Sequence, residues 1–477
     1  MARRGRQMVL DFDHQPVTQE TVDDLVAEMM QVYLRDTRPW VIGFSGGKDS
    51  TAVVQLVYRM LLALPESLRR KPVWVISSDT LVENPRVTAW MERCQAELRA
   101  VAEDKGLPVQ VVTVRPDPRQ SFWVCLIGKG YPAPTRDFRW CTGRLKIDPA
   151  EAFVVANIEP TGRILQLLGS RKAESRSRAA SIEAHALEGK FGVTGSLTNG
   201  LSYQPIMDWD NDNAWEYLRL FPPPWDRPDD VVQIPDPVTG ELVPHYNNEL
   251  FALYQDGHGG ECVLEFDRRT ASCGGSRFGC WTCTVVVEDR SLTNMVEMTN
   301  PELAPLLRFR QKILDYRNDP SKRDPIGRNG RIRINNYARR AAAEAYAQGD
   351  EALRAAWLRG ARHAEVQHRR SYTPADGDAD IYYPDDPALQ EAFQAGARWS
   401  LAILNNPGEA DEVSRGPYLL EVRAELLQDL FEIERAIPGF RTVTYEDLRW
   451  IRHHWEQDGG DPGLVDRLVL RYRGQVA

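Results

Sequence analysis

Residues 40–50, with the sequence WVIGFSGGKDS, decide the fold of this 477-residue chain. The stretch begins as a short apolar run, passes through two glycines, and leads into residues 48–64, where apolar side chains recur at helical spacing. A buried strand that turns through glycine into a helix is typical of a parallel α/β sheet. Ligands of such sheets bind beyond the carboxyl ends of the strands, so residues 45–50 are the first candidate binding site.

The alternation of strand and helix continues on both sides of this stretch. Apolar runs predict strands at 71–77, 109–114 and 164–168, and amphipathic patterns predict helices at 17–35, which has a Ser/Thr-type cap, and at 86–105. Strands that alternate with helices predict a doubly wound parallel sheet. The proline run at 221–225 predicts the end of this domain.

The rest of the chain reads differently. From about residue 300 it is mainly helical, with predicted helices at 338–370, 386–404 and 417–436 and a Pro/Asp/Gly-rich surface loop at 371–386. We predict four segments: a helical segment at 1–36, an α/β domain at 37–225, a cysteine-rich segment at 226–290, and a mainly helical region at 291–477.

Charge and hydropathy exclude some classes of protein. The net charge of −9 argues against a generally basic nucleic-acid binder, although segment 305–340 is rich in Lys and Arg. That segment has two interpretations, a surface that follows DNA phosphates or a solvated helical face. No apolar run reaches the roughly 18 residues of a membrane span. No apolar segment follows the basic start, which predicts a cytoplasmic protein without a secretory signal.

The loop itself has the chemistry of a pyrophosphate cradle. Gly46 and Gly47 let the backbone approach a ligand closely, and the N–H groups of the following helix start point at an anion. Ser45 and Ser50 add hydroxyl donors, and Lys48 adds positive charge beside Asp49. The spacing differs from the phosphate loop of ordinary NTPases. The simpler interpretation is a glycine turn with a Ser or Asp helix cap.

Further candidate residues follow the predicted strand ends. The cationic ones are Arg139, Lys146, Arg171 and Arg178. Such a set can hold phosphate or developing negative charge, and Glu174 can orient one of the arginines. The alternative is a solvated basic surface. Asp79 also closes a strand, where it either contacts ribose or a metal ion or caps the strand end.

The chain has seven cysteines, and four of them are spaced C-x10-C-x6-C-x2-C at Cys262, Cys273, Cys280 and Cys283. In a large cytosolic protein such a group indicates metal ligands before disulfides. Four thiolates fit a tetrahedral zinc ion or a [4Fe–4S] cluster, and the spacing alone does not decide between them.

The remaining cysteines and the histidines have other interpretations. Cys141 lies between Arg139 and Lys146, and nearby cations stabilise a thiolate, so it is either a persulfide carrier or substrate-side thiol or a buried inert cysteine. Cys94 and Cys125 are predicted to lie in the core. His453 and His454, in a predicted helix, are interpreted as packing or surface residues because the eight histidines show no metal-ligand spacing.

The motif at 45–50 matches the signature of the PP-loop ATP pyrophosphatases, whose domains are adenine nucleotide hydrolase-like. This resemblance implies ATP with Mg²⁺, cleavage between the α and β phosphates, and adenylylation of a substrate oxygen. Strings at 131–134, 139–142, 169–175 and 205–209 look like the adenylyl-sulfate and PAPS reductase branch. The resemblance implies nucleotide contacts at residues 45–50, Asp79 and Gly169. It implies catalytic roles for Lys48, Asp49, Arg139, Cys141, Lys146, Arg171, Glu174 and Arg178.

A narrower resemblance covers roughly residues 37–320. The strings SSDTLVEN at 77–84, LGSRKAES at 168–175 and SRFGCW at 276–281 resemble the DndC family, the sulfurtransferases of DNA phosphorothioation. This resemblance implies that sulfur replaces a non-bridging oxygen of a DNA phosphate. It also implies a [4Fe–4S] cluster on the four clustered cysteines, a cysteine desulfurase as sulfur donor, and other Dnd proteins as partners.

Three alternatives remain. A sulfonucleotide (PAPS or adenylyl-sulfate) reductase of the thioredoxin-linked type needs a C-terminal cysteine, and no cysteine follows Cys283. A tRNA-thiolating enzyme also combines a PP-loop with an iron–sulfur cluster, but the strings at 139–142 and 169–175 count against it. The third alternative is a non-catalytic scaffold organised by the nucleotide and the cluster.

Overall fold

The computed structural model describes residues 15–136, 138–194, 199–225, 227–236, 239–258, 279–328, 332–372, 386–407 and 412–474. The chain divides into two compact units. The first comprises residues 1–122, 134–310 and 436–442, and the second comprises residues 123–133, 311–435 and 443–477.

The strands of the described residues all belong to the first unit. They are β1 (Trp40–Gly43), β2 (Val73–Ser78), β3 (Val109–Val114), β4 (Leu165–Leu167), β5 (Phe191–Val193), β6 (Leu201–Tyr203), β7 (Val232–Pro235) and β8 (Leu242–His245). Six of them form one sheet in the order β3-β2-β1-β4-β6-β5, and β7 pairs with β8 in a separate antiparallel hairpin. Within the sheet only β5 runs antiparallel to its neighbour.

The helices of the first unit surround this sheet. They are α1 (Gln19–Leu34), α2 (Lys48–Ala63), α3 (Pro85–Asp104), α4 (Trp140–Thr142), α5 (Asp148–Asn157), α6 (Arg176–His185), α7 (Asn211–Leu220), α8 (Asn248–His258) and α9 (Arg290–Met298). The Thr18 side chain accepts from the backbone N–H of Thr21 in a capping box at the start of α1, which confirms the predicted Ser/Thr cap.

Helices cover both faces of the sheet. Ile42 of β1 lies in a large apolar cluster with residues of α1, α2, α3 and α7, while Val41 lies in a smaller cluster with Val154 of α5. Successive residues of a strand point to opposite faces, so β1 must be apolar throughout to fill both clusters. The α/β fold with a mostly parallel sheet is therefore as predicted.

The second unit is helical. Helix α10 (Ala304–Asn318) crosses from the first unit into it, and it also contains α11 (Asn336–Ala347), α12 (Glu351–Tyr372), α13 (Pro387–Asn405), α14 (Leu420–Ala436), α15 (Tyr445–Gln457) and α16 (Gly463–Arg473). The single helix predicted at 338–370 is two helices, because Gln348 and Gly349 adopt positive φ angles of 49° and 93° between them. A left-handed residue pair ends a helix.

The predicted burial of two cysteines is confirmed. Cys94 of α3 and Cys125 are 5% and 0% exposed. The histidine pair of α15 packs against Trp450, with ring centroids 5.4 Å away for His453 and 6.5 Å away for His454. No helix among the described residues is long and apolar enough to cross a membrane.

His454 predicts a pH dependence of stability. Burial, with lesser contributions from the charges of Lys129 and Arg328, lowers the pKa of His454 to about 4. As the pH falls below about 6.5, His454 takes up a proton in the unfolded chain but not in the folded chain. The free energy of unfolding therefore decreases between pH 6.5 and about pH 4. We expect His454→Gln to reduce the fall in unfolding free energy between pH 7 and pH 5 by about 1 kcal/mol, since partial exposure screens the effect. Urea unfolding at both pH values measures it, with His453→Gln as control. An unchanged pH dependence in His454→Gln would contradict it.

Candidate active site at the carboxyl edge of the sheet

The loop after β1 is held in one conformation by its glycines and serines. Gly46 has φ +70°, and a Cβ atom there would overlap Met91, so only glycine fits. The indole N–H of Trp90 donates to the carbonyl of Gly46 at 2.9 Å. Ser50 Oγ accepts from the backbone N–H of Ser45 at 3.2 Å and donates to the carbonyl of Gly47 at 2.9 Å. The serine hydroxyls thus fix the loop.

The start of α2 has the properties of an anion site. Gly47 is the N-cap and supplies no side-chain hydrogen bond, so the proposed Ser or Asp cap is absent. An N-terminal turn without a side-chain cap leaves backbone N–H groups for a ligand, and the helix dipole favours a negative one. The simpler interpretation of the loop as a turn capped by its own Ser or Asp is therefore wrong, because no side chain of the loop caps the helix start.

Lys48, Asp49 and Arg171 form a charged group beside this turn. Asp49 accepts from Arg171 Nε at 2.7 Å and lies 3.2 Å from Lys48 Nζ. Arg171 is 2% exposed, and its Nη1 has no hydrogen-bond partner among the described residues. Burial lowers the pKa of Lys48, and Asp49 opposes that shift. The group is dense in cations and holds a buried donor that suits an anionic ligand.

Gly169 explains why the loop after β4 reaches α2. A Cβ atom at Gly169 would lie 2.8 Å from the backbone carbonyl of Asp49, closer than a side chain allows. Glycine therefore lets the two backbones touch and brings Arg171 next to Asp49. The nucleotide contact of Gly169 stays a prediction.

Tyr254 of α8 contacts the same turn and has no signal in the sequence. Its hydroxyl accepts from the backbone N–H of Lys48 at 3.2 Å, across 206 residues of chain. Burial raises the pKa of Tyr254 to about 12, so the ring stays neutral. Trp215 packs edge-on against it at 5.0 Å. A tyrosine from beyond residue 225 thus occupies a backbone donor of the loop.

Tyr254→Phe is expected to destabilise the ligand-free protein by about 1 kcal/mol, because Lys48 N–H loses its acceptor. A bound phosphate oxygen can accept that N–H instead, so the loss should shrink when a non-hydrolysable ATP analogue saturates the protein. Urea unfolding with and without the analogue measures both values. Tyr203→Phe is the control, because its hydroxyl is 2.7 Å from Glu28 Oε1, and its cost should not depend on nucleotide. A nucleotide-independent loss in Tyr254→Phe would contradict the assignment.

Asp79 has the contacts of a strand-end cap. Its carboxylate accepts from the backbone N–H of Leu81 at 2.9 Å and from Arg115 Nε at 3.0 Å. Leu81 has φ 63°, a conformation that such a side-chain contact helps to hold. These contacts are those expected for Asp79 as a strand-end cap, and its contact with ribose or a metal ion stays a prediction.

A second group of polar side chains follows β2 and includes cysteine. Cys280 Sγ lies 3.4 Å from Thr80 Oγ1 and 3.7 Å from Glu83 Oε1. Lys146 Nζ lies 3.3 Å from the same Glu83 oxygen. The backbone N–H of Trp281 donates to the carbonyl of Val82 at 3.0 Å, which ties the Cys-Trp-Thr-Cys turn to the edge of the sheet. Thr80 and Glu83 were not predicted as site residues.

Arg310 supports the turn that carries Cys280 and Cys283 by hydrogen bonds to backbone carbonyls. This arginine is 1% exposed. It donates to the carbonyl of Cys283 at 2.9 Å, to that of Val286 at 2.6 Å and to that of Val287 at 3.1 Å. The backbone N–H of Cys283 donates to the carbonyl of Cys280 at 2.9 Å, which closes the turn. A buried guanidinium with three carbonyl acceptors makes this a rigid support. It is also one of the cations of segment 305–340.

Cys141, in the short helix α4, is close enough to Cys283 for its charge to matter. Burial is the main cause of the raised pKa of Cys141, the charge of Cys283 adds to it, and Arg139 opposes it only weakly. Burial, and after it Glu83, raises the pKa of Cys280 to about 12. The prediction that nearby cations stabilise a Cys141 thiolate is therefore wrong for the protein without bound ligands, because desolvation outweighs Arg139.

The other predicted residues are spread around these two groups. Arg178 Nε lies 3.0 Å from Glu174 Oε2, so Glu174 does orient an arginine. The negative charge of Glu174 also raises the pKa of Lys48, against the larger effect of burial. Arg139 is exposed. Cys262 and Cys273 lie outside the described residues. Within the residues that are described, no three His, Cys, Asp or Glu side chains form a metal-binding group.

Segment 305–340 uses much of its positive charge internally. Lys312 lies 2.7 Å from Glu425 Oε1, and Arg328 lies 2.8 Å from Asp458 Oδ2. Arg323 Nε donates to the carbonyl of Gly416 at 2.9 Å. These side chains stabilise the second unit, so a solvated helical face does not describe all of the segment, and contact of its other cations with DNA phosphates stays a prediction.

One family model matches the part of the first unit that contains the sheet. Residues 39–221 match the phosphoadenosine phosphosulfate reductase domain. Two uncharacterized proteins of Methanocaldococcus jannaschii, MJ0066 and MJ0973, are each 26% identical over 195 and 177 residues, which are 41% and 37% of this chain. The matches cover 34% and 35% of those proteins, so the chain spans about a third of the length of the curated relatives it matches.

Two solved structures are also similar over part of the chain. A phosphoadenylyl-sulfate (PAPS) reductase from Candida auris, in a phosphate complex, is 17% identical with a TM-score of 0.27, covering 43% of this chain and 87% of that one. An FMN adenylyltransferase from Candida glabrata is 12% identical with a TM-score of 0.27, covering 46% and 65%. The matched segment contains β1 to β6 and the glycine loop. The match to the family model, over residues 39–221, supports a PAPS reductase-like domain of the PP-loop branch in this part of the chain.

Proposed function

We propose that this chain is an ATP-dependent sulfurtransferase of DNA phosphorothioation. It adenylylates an oxygen of a DNA backbone phosphate, releases pyrophosphate, and lets sulfur take the place of that oxygen. One observation carries the proposal. The loop of residues 45–50 follows β1, the Cys280 group follows β2, and these strands are parallel neighbours. Cys141 lies beside the Cys280 group, because the charge of Cys283 acts on Cys141 and both Cys280 and Cys141 act on Lys146. Adjacent strands lie about 4.8 Å apart, so a phosphate activated at the loop can meet sulfur carried on Cys141 at one edge of the sheet.

The first step is adenylyl transfer. A non-bridging oxygen of the DNA phosphate attacks the α-phosphorus of ATP, and the bond to the β-phosphate breaks. The uncapped start of α2, Lys48 and Arg171 stabilise the pyrophosphate as negative charge develops on it. Both Asp49 oxygens are already paired with cations, so Mg²⁺ would be held mainly by the phosphates of ATP.

The second step is transfer of sulfur. The terminal sulfur of a persulfide attacks the adenylylated DNA phosphorus, a P–S bond forms, and AMP leaves with the former phosphate oxygen. A thiol then attacks the sulfur–sulfur bond, which releases the phosphorothioate and leaves a disulfide. Cys141 is our candidate for the persulfide. Its raised pKa keeps the unmodified thiol protonated, and a persulfide is more acidic than its thiol.

We propose that the cysteines of the Cys-Trp-Thr-Cys turn help to hold a [4Fe–4S] cluster. The donor set fits that group, because Cys280 and Cys283 share one turn supported by Arg310, and Lys146 lies beside it to offset thiolate charge. Cys262 and Cys273 complete the proposed ligands. With four thiolate ligands the cluster would stabilise this loop-rich segment or transfer electrons.

The proposed partners are DNA, a cysteine desulfurase that supplies the persulfide sulfur, and other Dnd proteins. They rest on the resemblance of the strings at 77–84, 168–175 and 276–281 to the DndC family. A cytoplasmic location is part of the same proposal.

Anaerobic purification with iron and zinc counts, followed by pyrophosphate release with and without DNA, tests the proposal. We expect iron rather than zinc, and pyrophosphate release that rises when DNA is added. Phosphorothioate appears in the DNA only when the desulfurase and cysteine are present. Pyrophosphate release indifferent to DNA, with no sulfur incorporated, would reject the DNA acceptor. No release from ATP under any condition would favour a non-catalytic scaffold.

The match to the PAPS reductase domain supports one other candidate, a sulfonucleotide reductase. The product of that reaction is sulfite. Sulfite release from PAPS or adenylyl sulfate in the presence of a dithiol distinguishes it from the sulfurtransferase.

A further inference from the structure

The second unit contains a cavity of about 610 Å³ that the proposed function does not use. Its walls come from the segment before α11, from the first turn of α11, from one face of α12, and from Ser414. The lining residues are Arg333, Ile334, Asn335, Asn336, Arg339, Arg362, Glu365, Val366 and Ser414. Cavities of several hundred Å³ are the usual size for small-molecule ligands.

The cavity is built on buried polar groups. Arg339 and Glu365 form an ion pair in which each side chain is 8% exposed. Arg339 Nη1 also donates to Asn336 Oδ1 at 2.8 Å. Its Nε is buried and has no hydrogen-bond partner among the described residues. A buried N–H donor without an acceptor is costly, so the polar groups under this cavity are incompletely satisfied by the described residues.

The surroundings of Arg339 favour an anion. The lining contains three arginines and one glutamate, so Arg333 and Arg362 are not balanced by an acid of the lining. The twelve-residue helix α11 also begins here, capped by Asn335, whose side chain accepts from the backbone N–H of Tyr337 at 2.9 Å. Its positive end adds to the field of the arginines.

The backbone of the cavity floor is fixed. Ile334 pairs with Val413, and the backbone N–H of Ser414 donates to the carbonyl of Arg333 at 2.7 Å. On α12, Arg362, Glu365 and Val366 are three and four residues apart and therefore lie on one face. The site is formed before any ligand arrives, which reduces the entropy lost on binding.

We propose that this cavity binds the phosphate group of a nucleotide or of a nucleic-acid end or backbone. Guanidinium groups bind phosphate oxygens bidentately, and the two unbalanced arginines match the charge of a phosphate monoester. The cavity is larger than inorganic phosphate alone needs, so the phosphate is carried on a larger group. The site is independent of the PP-loop and of the sulfurtransferase function.

Hydrogen–deuterium exchange on the full chain tests this, because it locates the ligand and separates the cavity from the PP-loop. AMP is expected to slow exchange in peptides covering 332–340 and 359–368. The double variant Arg333→Ala/Arg362→Ala, which changes exposed side chains, should lose that protection and weaken AMP binding there by about a hundredfold, roughly tenfold for each arginine. Arg340→Ala/Arg359→Ala is the matched control, since both are exposed arginines, on α11 and α12, that lie outside the lining, and it should behave as the unaltered chain.

Oligonucleotides with and without a 5′-phosphate distinguish the sources of the phosphate. Protection by the phosphorylated oligonucleotide alone indicates a strand end, protection by both indicates the backbone, and protection by AMP alone indicates a free nucleotide. Each of these supports a phosphate site. Three results would overturn it: no protection by any of these probes, equal protection by citrate, or protection that persists in Arg333→Ala/Arg362→Ala.

Discussion

Replacing Lys48 with alanine is expected to lower the rate of pyrophosphate release from ATP by about a hundredfold or more. The Lys48 ammonium lies at the start of α2 and is 3.2 Å from Asp49, which also pairs with the buried Arg171. Loss of the ammonium removes a charge that stabilises the leaving pyrophosphate. It also leaves Asp49 with a single cationic partner. Pyrophosphate release measured at saturating ATP separates this effect from weaker ATP binding.

Lys105→Ala is the control for that experiment, because Lys105 is exposed at the end of α3 and pairs with its neighbour Asp104. It should release pyrophosphate at the rate of the unaltered protein. The thermal unfolding temperature of Lys48→Ala should be checked so that a loss of fold is not mistaken for a loss of catalysis. A folded Lys48→Ala protein that still released pyrophosphate at full rate would remove the loop from the active site.

The second large effect is expected from Cys280→Ser and Cys283→Ser. Each change should reduce the iron content of anaerobically purified protein by about tenfold or more, with loss of the visible absorbance, since even residues beyond the ligands change metal affinity by that much. Arg310→Met should have a similar effect through the loss of three hydrogen bonds to carbonyls of the same turn. Iron content, and not only activity, is the measurement.

Cys94→Ala is the matched control, because Cys94 is buried in α3 away from the turn and should keep its iron. Cys141→Ser separates the two thiol roles. We expect it to keep the iron and to lose sulfur incorporation into DNA. Full iron in both Cys280→Ser and Cys283→Ser would show that the turn binds no cluster, and loss of iron in Cys141→Ser would make Cys141 a ligand.

The parts of this site that could be predicted are continuous in the sequence. The strand, glycine loop and helix at 40–63 follow one another directly, so their apolar pattern and glycines were enough to predict them. Arg171 was also predicted, because it follows the end of a strand. Strands β5 and β6 were missed, since each has three residues and, unlike the equally short β4, neither lies in a longer apolar run.

The parts that could not be predicted come from long-range packing. Tyr254 reaches Lys48 across 206 residues, and Arg310 reaches Cys283 across 27. In the sequence, Arg310 is one of many basic residues of segment 305–340 and cannot be told apart from the others. Its structural role is seen only from its burial in the folded protein. For Cys141 the prediction weighed neighbouring charge in the sequence, whereas the cost of desolvation depends on the packing around the thiol.

The contact between Tyr254 and Lys48 has a practical consequence for dissecting the chain. A fragment that ended at Phe221, where the matched domain ends, would keep the glycine loop but lose α8. It would uncover the edge of Trp215 against which Tyr254 packs, and it would leave the Lys48 amide without its acceptor. Low nucleotide affinity or poor solubility of such a fragment would therefore reflect the cut itself. The smallest piece that preserves the native loop must extend through residue 258.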